Sequence, residues 1–393
     1  MLSFTLLALV TAADAGVAPT GAAADAADFI DDVRLIFQVV TCQPGQVPAP
    51  LDAKTVQTYC KQMTPKFERF RSHWGVTARA FIEAQRPAGL PGELVYPFGG
   101  GDLMMALTAF PDATVITTMS LELAGDPRRL ETLADTKSLE QSLKALNEAA
   151  TTTLMSNDSK SVNLSKIQRG DLPGQLSMHL MGLALNDQEP VSVRFFRVEP
   201  DGSLHYFSRA EIDALDSVKA TKLKASWKAP DFSPAFANVE VQFVPKGQPT
   251  ATPRVHRHLG ANLSDDGFTK APGLLAHLTA KGHVSAMTKA ASYLLWSPAF
   301  SVIRDWLVAH AVFMISDSTG VPPRYWKKAG CAVDTFGSFQ KSFLGTWEGF
   351  QEELRTEFEK AKKLPMRFGY PDGSPEKRSH CVVVKCLADA KTP

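Results

Sequence analysis

Leu94-Val-Tyr-Pro-Phe-Gly-Gly-Gly-Asp102 is the stretch from which the fold reads. The apolar run from Leu94 to Phe98 predicts a short strand, and the three glycines predict a turn. Asp102 to Phe110 then predicts a helix, because an Asp at the N-cap satisfies free amides of the first turn. Thr114 to Leu123 follows as a buried strand. Toward the N-terminus, Phe29, Ile30, Val33, Ile36, Phe37 and Val40 recur at helical spacing over Asp28 to Val40. The Asp residues of that first turn suit the helix dipole. Leu51 to Ser72 and Val76 to Gln85 also predict helices, and Ser138 to Leu154 an amphipathic one.

Toward the C-terminus the chain turns to strands. Val191 to Val198 and Leu204 to Phe207 flank Glu199-Pro-Asp-Gly202, a strong hairpin turn. Val239 to Val244 and Arg254 to Leu263 predict further strands. Gly273 to Ala280, Val284 to Trp296, Phe300 to Ile315 and Phe343 to Lys363 predict helices, and His380 to Leu387 a closing strand. Together these predict an α+β fold: a central, mostly antiparallel sheet with helices packed around it. The expected unit is a single domain over residues 28–393, with division into two lobes left open.

The first residues carry an apolar run, Leu2 to Val10, and then Ala13-Asp14-Ala15, which fits the A-x-A pattern of a cleaved export signal over residues 1–15. The run is far shorter than the roughly 20 residues of a bilayer span, and no Lys or Arg precedes it. Residues 16–27 are small and predict a flexible segment. The expectation is therefore an exported protein, periplasmic or extracellular, with no integral membrane span. Lys plus Arg (42) nearly balance Asp plus Glu (41), so the charge carries no footprint for nucleic acid. In an exported chain the five cysteines read first as disulfide partners. Cys42 and Cys60 bracket a Pro-rich loop and predict one bridge. Cys331 can pair with Cys381 or Cys386, which point to opposite faces of one strand, and one thiol is left over.

Three places can carry chemistry. At the glycine turn, backbone amides could hold an anion, or Asp102 could simply cap the following helix. At His256-Arg-His258, two imidazoles share one face of a strand and could bind a divalent metal such as zinc, with Asp265 or Asp266 as a further ligand. At Ser316-Asp-Ser-Thr-Gly320, Asp317, Ser318 and the nearby Arg324 could serve a hydrolase, with Asp305 and His310 on the preceding element. The alternative there is a turn built on Gly and Pro, since no Gly-x-Ser-x-Gly elbow is present. The glycine turn and the Ser316–Gly320 loop are expected on the same side of the fold, because each pairs a carboxylate with small residues after a buried element.

Tyr96 to Asp102 with Phe110-Pro-Asp-Ala113, then Lys289-Ala-Ala-Ser-Tyr-Leu294, Phe300-Ser-Val-Ile-Arg304 and Asp317-Ser-Thr-Gly-Val-Pro322, resemble a family of uncharacterised exported bacterial proteins. Its marks are the patterns YPF-x-G-x-D and D-x-x-G-[IV]-P. The resemblance covers about residues 90 to 390, and Gly100-Gly101 stands where the family pattern has Gly-Pro. It implies export but brings no activity, cofactor or catalytic residue with it. The leading expectation is a cofactor-free protein that binds a small molecule or an envelope component. The alternatives are an exported hydrolase, metal-assisted or not, and a structural or interaction protein of the envelope.

Overall fold

The computed structural model describes residues 25–43, 47, 51–128, 136–156, 172–216, 233–289, 291–338, 350–368 and 379–386. The expected export signal, most of the segment 16–27 and the first part of the expected helix Phe343 to Lys363 lie outside the described residues.

Ten strands form one sheet: β1 Glu93–Pro97, β2 Val115–Ser120, β3 Gln188–Val198, β4 Leu204–Tyr206, β5 Asn238–Pro245, β6 Arg254–Gly260, β7 Val284–Thr288, β8 Ala311–Ser316, β9 Ala332–Gly337 and β10 His380–Lys385. Their order is β4-β3-β5-β6-β2-β1-β7-β8-β10-β9. The class is α+β and five of the nine pairings are antiparallel. The four parallel pairings are contiguous and make the centre, β6-β2-β1-β7-β8. β8 and β9 both run against β10 and so share a direction. The parallel run β6-β2-β1-β7-β8, with β9 beyond the wedged β10, takes the order 3-2-1-4-5-6 of a doubly wound sheet when these six strands are numbered as they occur in the chain, and β3, on the far side of β5, runs the same way.

Side-chain alternation gives each face its own core. Val239, Val241, Phe243, Cys381 and Val383 join one cluster with the N-terminal helices, whose Val33, Ile36, Phe37 and Val40 form its stripe. Val382 and Val384 face the other cluster, with Leu274, Ile303, Leu307 and Trp326 of the C-terminal helices. The helix Leu103–Ala109, between β1 and β2, packs on the first face. The helix Ser301–His310, between β7 and β8, packs on the second. Among the described residues no helix is long and apolar enough to cross a membrane.

Two expected helices are corrected. Val284 to Trp296 is the strand β7 followed by a 3-10 turn, Ala291–Trp296. Phe300 to Ile315 is the helix Ser301–His310 followed by the strand β8. Every residue of β7 and β8 is buried. A strand covered on both faces shows an unbroken apolar run instead of alternation, and such a run reads equally well as helix.

Cys42 and Cys60 are bridged, as expected. Cys331 pairs with Cys386, not Cys381, which is a buried free thiol. The reason is the pleat: Cys381 points into the first core, whereas Cys331 and Cys386 belong to the second. Burial, with Asp317 nearby, pushes the Cys381 thiol up, which keeps it protonated and unreactive.

Candidate functional site

In a doubly wound sheet the crevice for a ligand opens beyond the carboxyl ends of the strands, where the chain's winding reverses. Here that point lies between β1 and β7: β1 leads to β2 on one side, and β7 leads to β8 on the other. Two buried side chains meet there. Lys289, directly after β7, sets its ammonium 2.7 Å from Asp102 Oδ2, with exposures of 1% and 0%. Tyr96, on β1, donates its hydroxyl to the same oxygen at 2.9 Å. Lys289 also lies 2.8 Å from the Met105 sulfur.

The turn that delivers Asp102 is tight. Gly99 and Asp102 donate their amides to Tyr96 O and Gly99 O, and Phe98 and Gly100 both hold left-handed backbone, φ 60° and 50°. Asp102 takes the N-cap position of the helix Leu103–Ala109, yet its side chain makes no capping bond. Lys289 and Tyr96 claim the carboxylate instead. Its second oxygen, Oδ1, is buried and has no hydrogen-bond partner among the described residues. Burial holds this carboxyl above the usual carboxylate range. Lys289, Tyr96 and the Met105 amide, which approaches without hydrogen-bond geometry, pull the other way.

The loop after β8 is the second buried polar cluster. Asp317 Oδ1 accepts from the Ser292 hydroxyl at 3.1 Å, from the Thr319 amide at 3.0 Å and from the Thr319 hydroxyl at 2.5 Å. Gly320 closes the turn because a β-carbon there would lie 1.9 Å from Ser316 Oγ. The Ser318 amide donates to His380 Nδ1 at 2.9 Å. Asp102 and Asp317 therefore follow strands on either side of β7, at the same end of the sheet. The segment after β7 joins them, Lys289 reaching the one and Ser292 the other.

A third buried cluster adjoins the glycine turn. His256 and His258 share one face of β6, as expected, and both meet Thr118 Oγ1, at 2.9 and 3.0 Å. His179, from the helix Gly174–Leu185, packs against both rings at centroid distances of 4.4 and 4.9 Å. Valence assigns the tautomers. His258 Nε2–H donates to Glu122 O, so its Nδ1 accepts from Thr118. Thr118 then accepts from His256 Nε2–H, and His179 Nε2–H donates to Gly100 O. Burial, its largest cause, holds all three imidazoles below their ordinary range, hence neutral.

Asp265 and Asp266, the expected further metal ligands, are both engaged elsewhere. Asp265 accepts from the Ser301 hydroxyl and the Val302 amide, capping the helix Ser301–His310, while Asp266 pairs with Lys270. Among the described residues no group of three or more His, Cys, Asp or Glu side chains is placed to hold a metal ion. Ser318 and His310 are not brought together, since His310 precedes β8 and bonds Gly282 O, whereas Ser318 follows β8. Arg324 pairs with Glu353 and lies over Trp296 and Tyr325. Sequence reasoning passed over Lys289, Tyr96, Ser292 and His179 as site residues. A signal existed for Lys289 and Ser292, a lone Lys in an apolar stretch inside one of the motifs quoted above.

Comparison of the chain with protein families, with curated proteins and with solved structures finds no match.

Proposed function

We propose that this chain is an exported protein that binds a small, donor-rich molecule at the carboxyl ends of β1, β7 and β8. The observation that carries the reading is Asp102: a carboxylate at the point where the winding reverses, fully buried, with Oδ1 unpartnered among the described residues. Such an oxygen costs free energy unless something donates to it. A ligand hydroxyl or amine does so, and an anion does not. Three motifs far apart in the sequence, at Tyr96–Asp102, Lys289–Ser292 and Asp317–Gly320, supply the cluster, which a purely local capping role for each would not require. Export is supported by the two disulfides, which persist in oxidising compartments, together with the A-x-A pattern.

The test is native mass spectrometry of the full chain purified without denaturation. A small molecule should accompany the wild type and be lost from Asp102→Asn. If the wild type carries nothing, and no member of a panel of sugars, amines and nucleosides raises its melting temperature, the reading fails.

A further inference from the structure

We infer that the chain has a separate small-molecule site at the amino ends of β1 and β7, which takes an apolar amine whose far end carries a hydroxyl. It lies at the opposite end of the sheet from Asp102 and does not rest on the reading above. A cavity of about 420 Å³, within the size range of small-molecule sites, is bounded there by the loop that enters β1, by Phe110 and Asp112 beyond the helix Leu103–Ala109, and by Ser285.

Ser285 is the second residue of β7. Val284 and Ala286 face the second core, so the pleat turns Ser285 toward the first, between Leu94 of β1 and Phe313 of β8. Only 1% of Ser285 is exposed, and its hydroxyl has no hydrogen-bond partner among the described residues, yet it lines the cavity. A buried hydroxyl without a partner costs free energy. A ligand hydroxyl can donate to it or accept from it, and so removes that cost.

Pro87, Leu90, Pro91 and Phe110 give the cavity apolar walls. Its charged lining is two carboxylates against one guanidinium. Arg86 is already engaged, donating to Asp112 Oδ2 at 3.1 Å and to Ala109 O at 3.4 Å. Glu83, exposed near the end of the helix Val76–Gln85, has no ion pair among the described residues. The uncompensated charge is thus negative and sits at the exposed edge, where it favours an ammonium and opposes a carboxylate or phosphate. An anionic edge, apolar walls and a hydroxyl floor match, in that order, the three parts of a hydroxy amine.

Isothermal titration of the full chain tests the inference, with tyramine and aminohexanol as the hydroxy amines. Each is set beside the amine that lacks its hydroxyl, phenethylamine or hexylamine, and beside a hydroxy acid, hydroxyphenylacetate or hydroxyhexanoate. At least one hydroxy amine should bind, about three- to tenfold tighter than the amine without the hydroxyl, the worth of one hydrogen bond. Its hydroxy acid should bind more weakly than it does, by a gap that narrows with added salt, because Glu83 is exposed. Ser285→Ala loses no internal bond, so it should unfold at the wild type's urea concentration or above, and it should bind the amines with and without the hydroxyl alike. Glu83→Gln should lose the preference for amine over acid. Failure of both hydroxy amines to bind, or equal binding of the amine without the hydroxyl or of the hydroxy acid, overturns the proposal. So does a clearly lowered unfolding midpoint for Ser285→Ala, which would give the hydroxyl a partner inside the protein.

Discussion

Lys289 places its ammonium 2.7 Å from the Asp102 carboxylate, inside the protein, where neither side chain is exposed beyond 1%. Removing one partner of such a pair strands the other charge without solvent, at a cost of about 3–5 kcal/mol. Lys289→Met and Asp102→Ala should each lose about that much in urea unfolding. Asp102→Leu with Lys289→Met replaces both charges by apolar groups of similar volume and should recover most of the loss. Single variants as stable as the wild type would show that the pair is solvated and has no special place in the fold.

The cysteine pairing gives a prediction from chain entropy. Cys331–Cys386 closes a loop of 55 residues in separation and Cys42–Cys60 one of 18. Replacing both cysteines of a bridge by Ser should cost about 4 kcal/mol for the long loop and about 3 kcal/mol for the short one. A non-reducing peptide map should find both bridges, with Cys381 unalkylated until the protein unfolds. A Cys331–Cys381 peptide would contradict the placement of β10.

These results show where the sequence was legible. The amphipathic helix Ile30–Val40, the β3–β4 hairpin and the shared face of His256 and His258 follow from spacing alone, because one side of each element meets a core and the pattern records it. β7 and β8 were misread, because strands buried on both faces have no alternation to record. The helix Gly174–Leu185 was missed for the matching reason: almost all of its residues are buried, so it lacks the polar stripe that marks a surface helix. The site depended on these elements. Lys289 directly follows one misread strand, Asp317 follows the other, and His179 and Gln175 lie on the missed helix, so the residues were visible but their meeting was not.

Stability should depend on pH through the buried imidazoles. His179, His256 and His258 are held below their ordinary range by burial, and so are His277 and His380, each lowered to about 4. The unfolded chain takes up protons at its histidines near pH 6.5, before the folded one does. Stability is therefore fully present above about pH 6.5 and falls as the pH drops from there toward 4. Each imidazole adds a slope of up to about 1.4 kcal/mol per pH unit within that window. Urea unfolding at pH 7.5, 6 and 5 measures it, and His380→Asn should reduce the slope by up to one proton's worth. A flat profile over that range would mean that these rings are charged or solvated in the folded state.

The last prediction separates a site from a turn at Asp317. Ser292 donates one bond to Asp317 Oδ1, and Thr319 donates two more. Ser292→Ala removes that one donor and leaves the Thr319 bonds in place, so it should cost about 1 kcal/mol. Asp317→Ala removes the common acceptor and strands buried donors, for about 3 kcal/mol or more. Because Ser292 and Asp317 touch, the double variant should fall short of the sum by roughly 0.5–3 kcal/mol. Against a total stability of about 5–15 kcal/mol, a loss of about 1 kcal/mol leaves the folded state dominant. Any ligand signal lost from Ser292→Ala in native mass spectrometry then reports on the site and not on unfolding. Full retention of the ligand with lowered stability would mean that the Ser316–Gly320 loop only ends β8, and the site would shrink to Asp102, Lys289 and Tyr96.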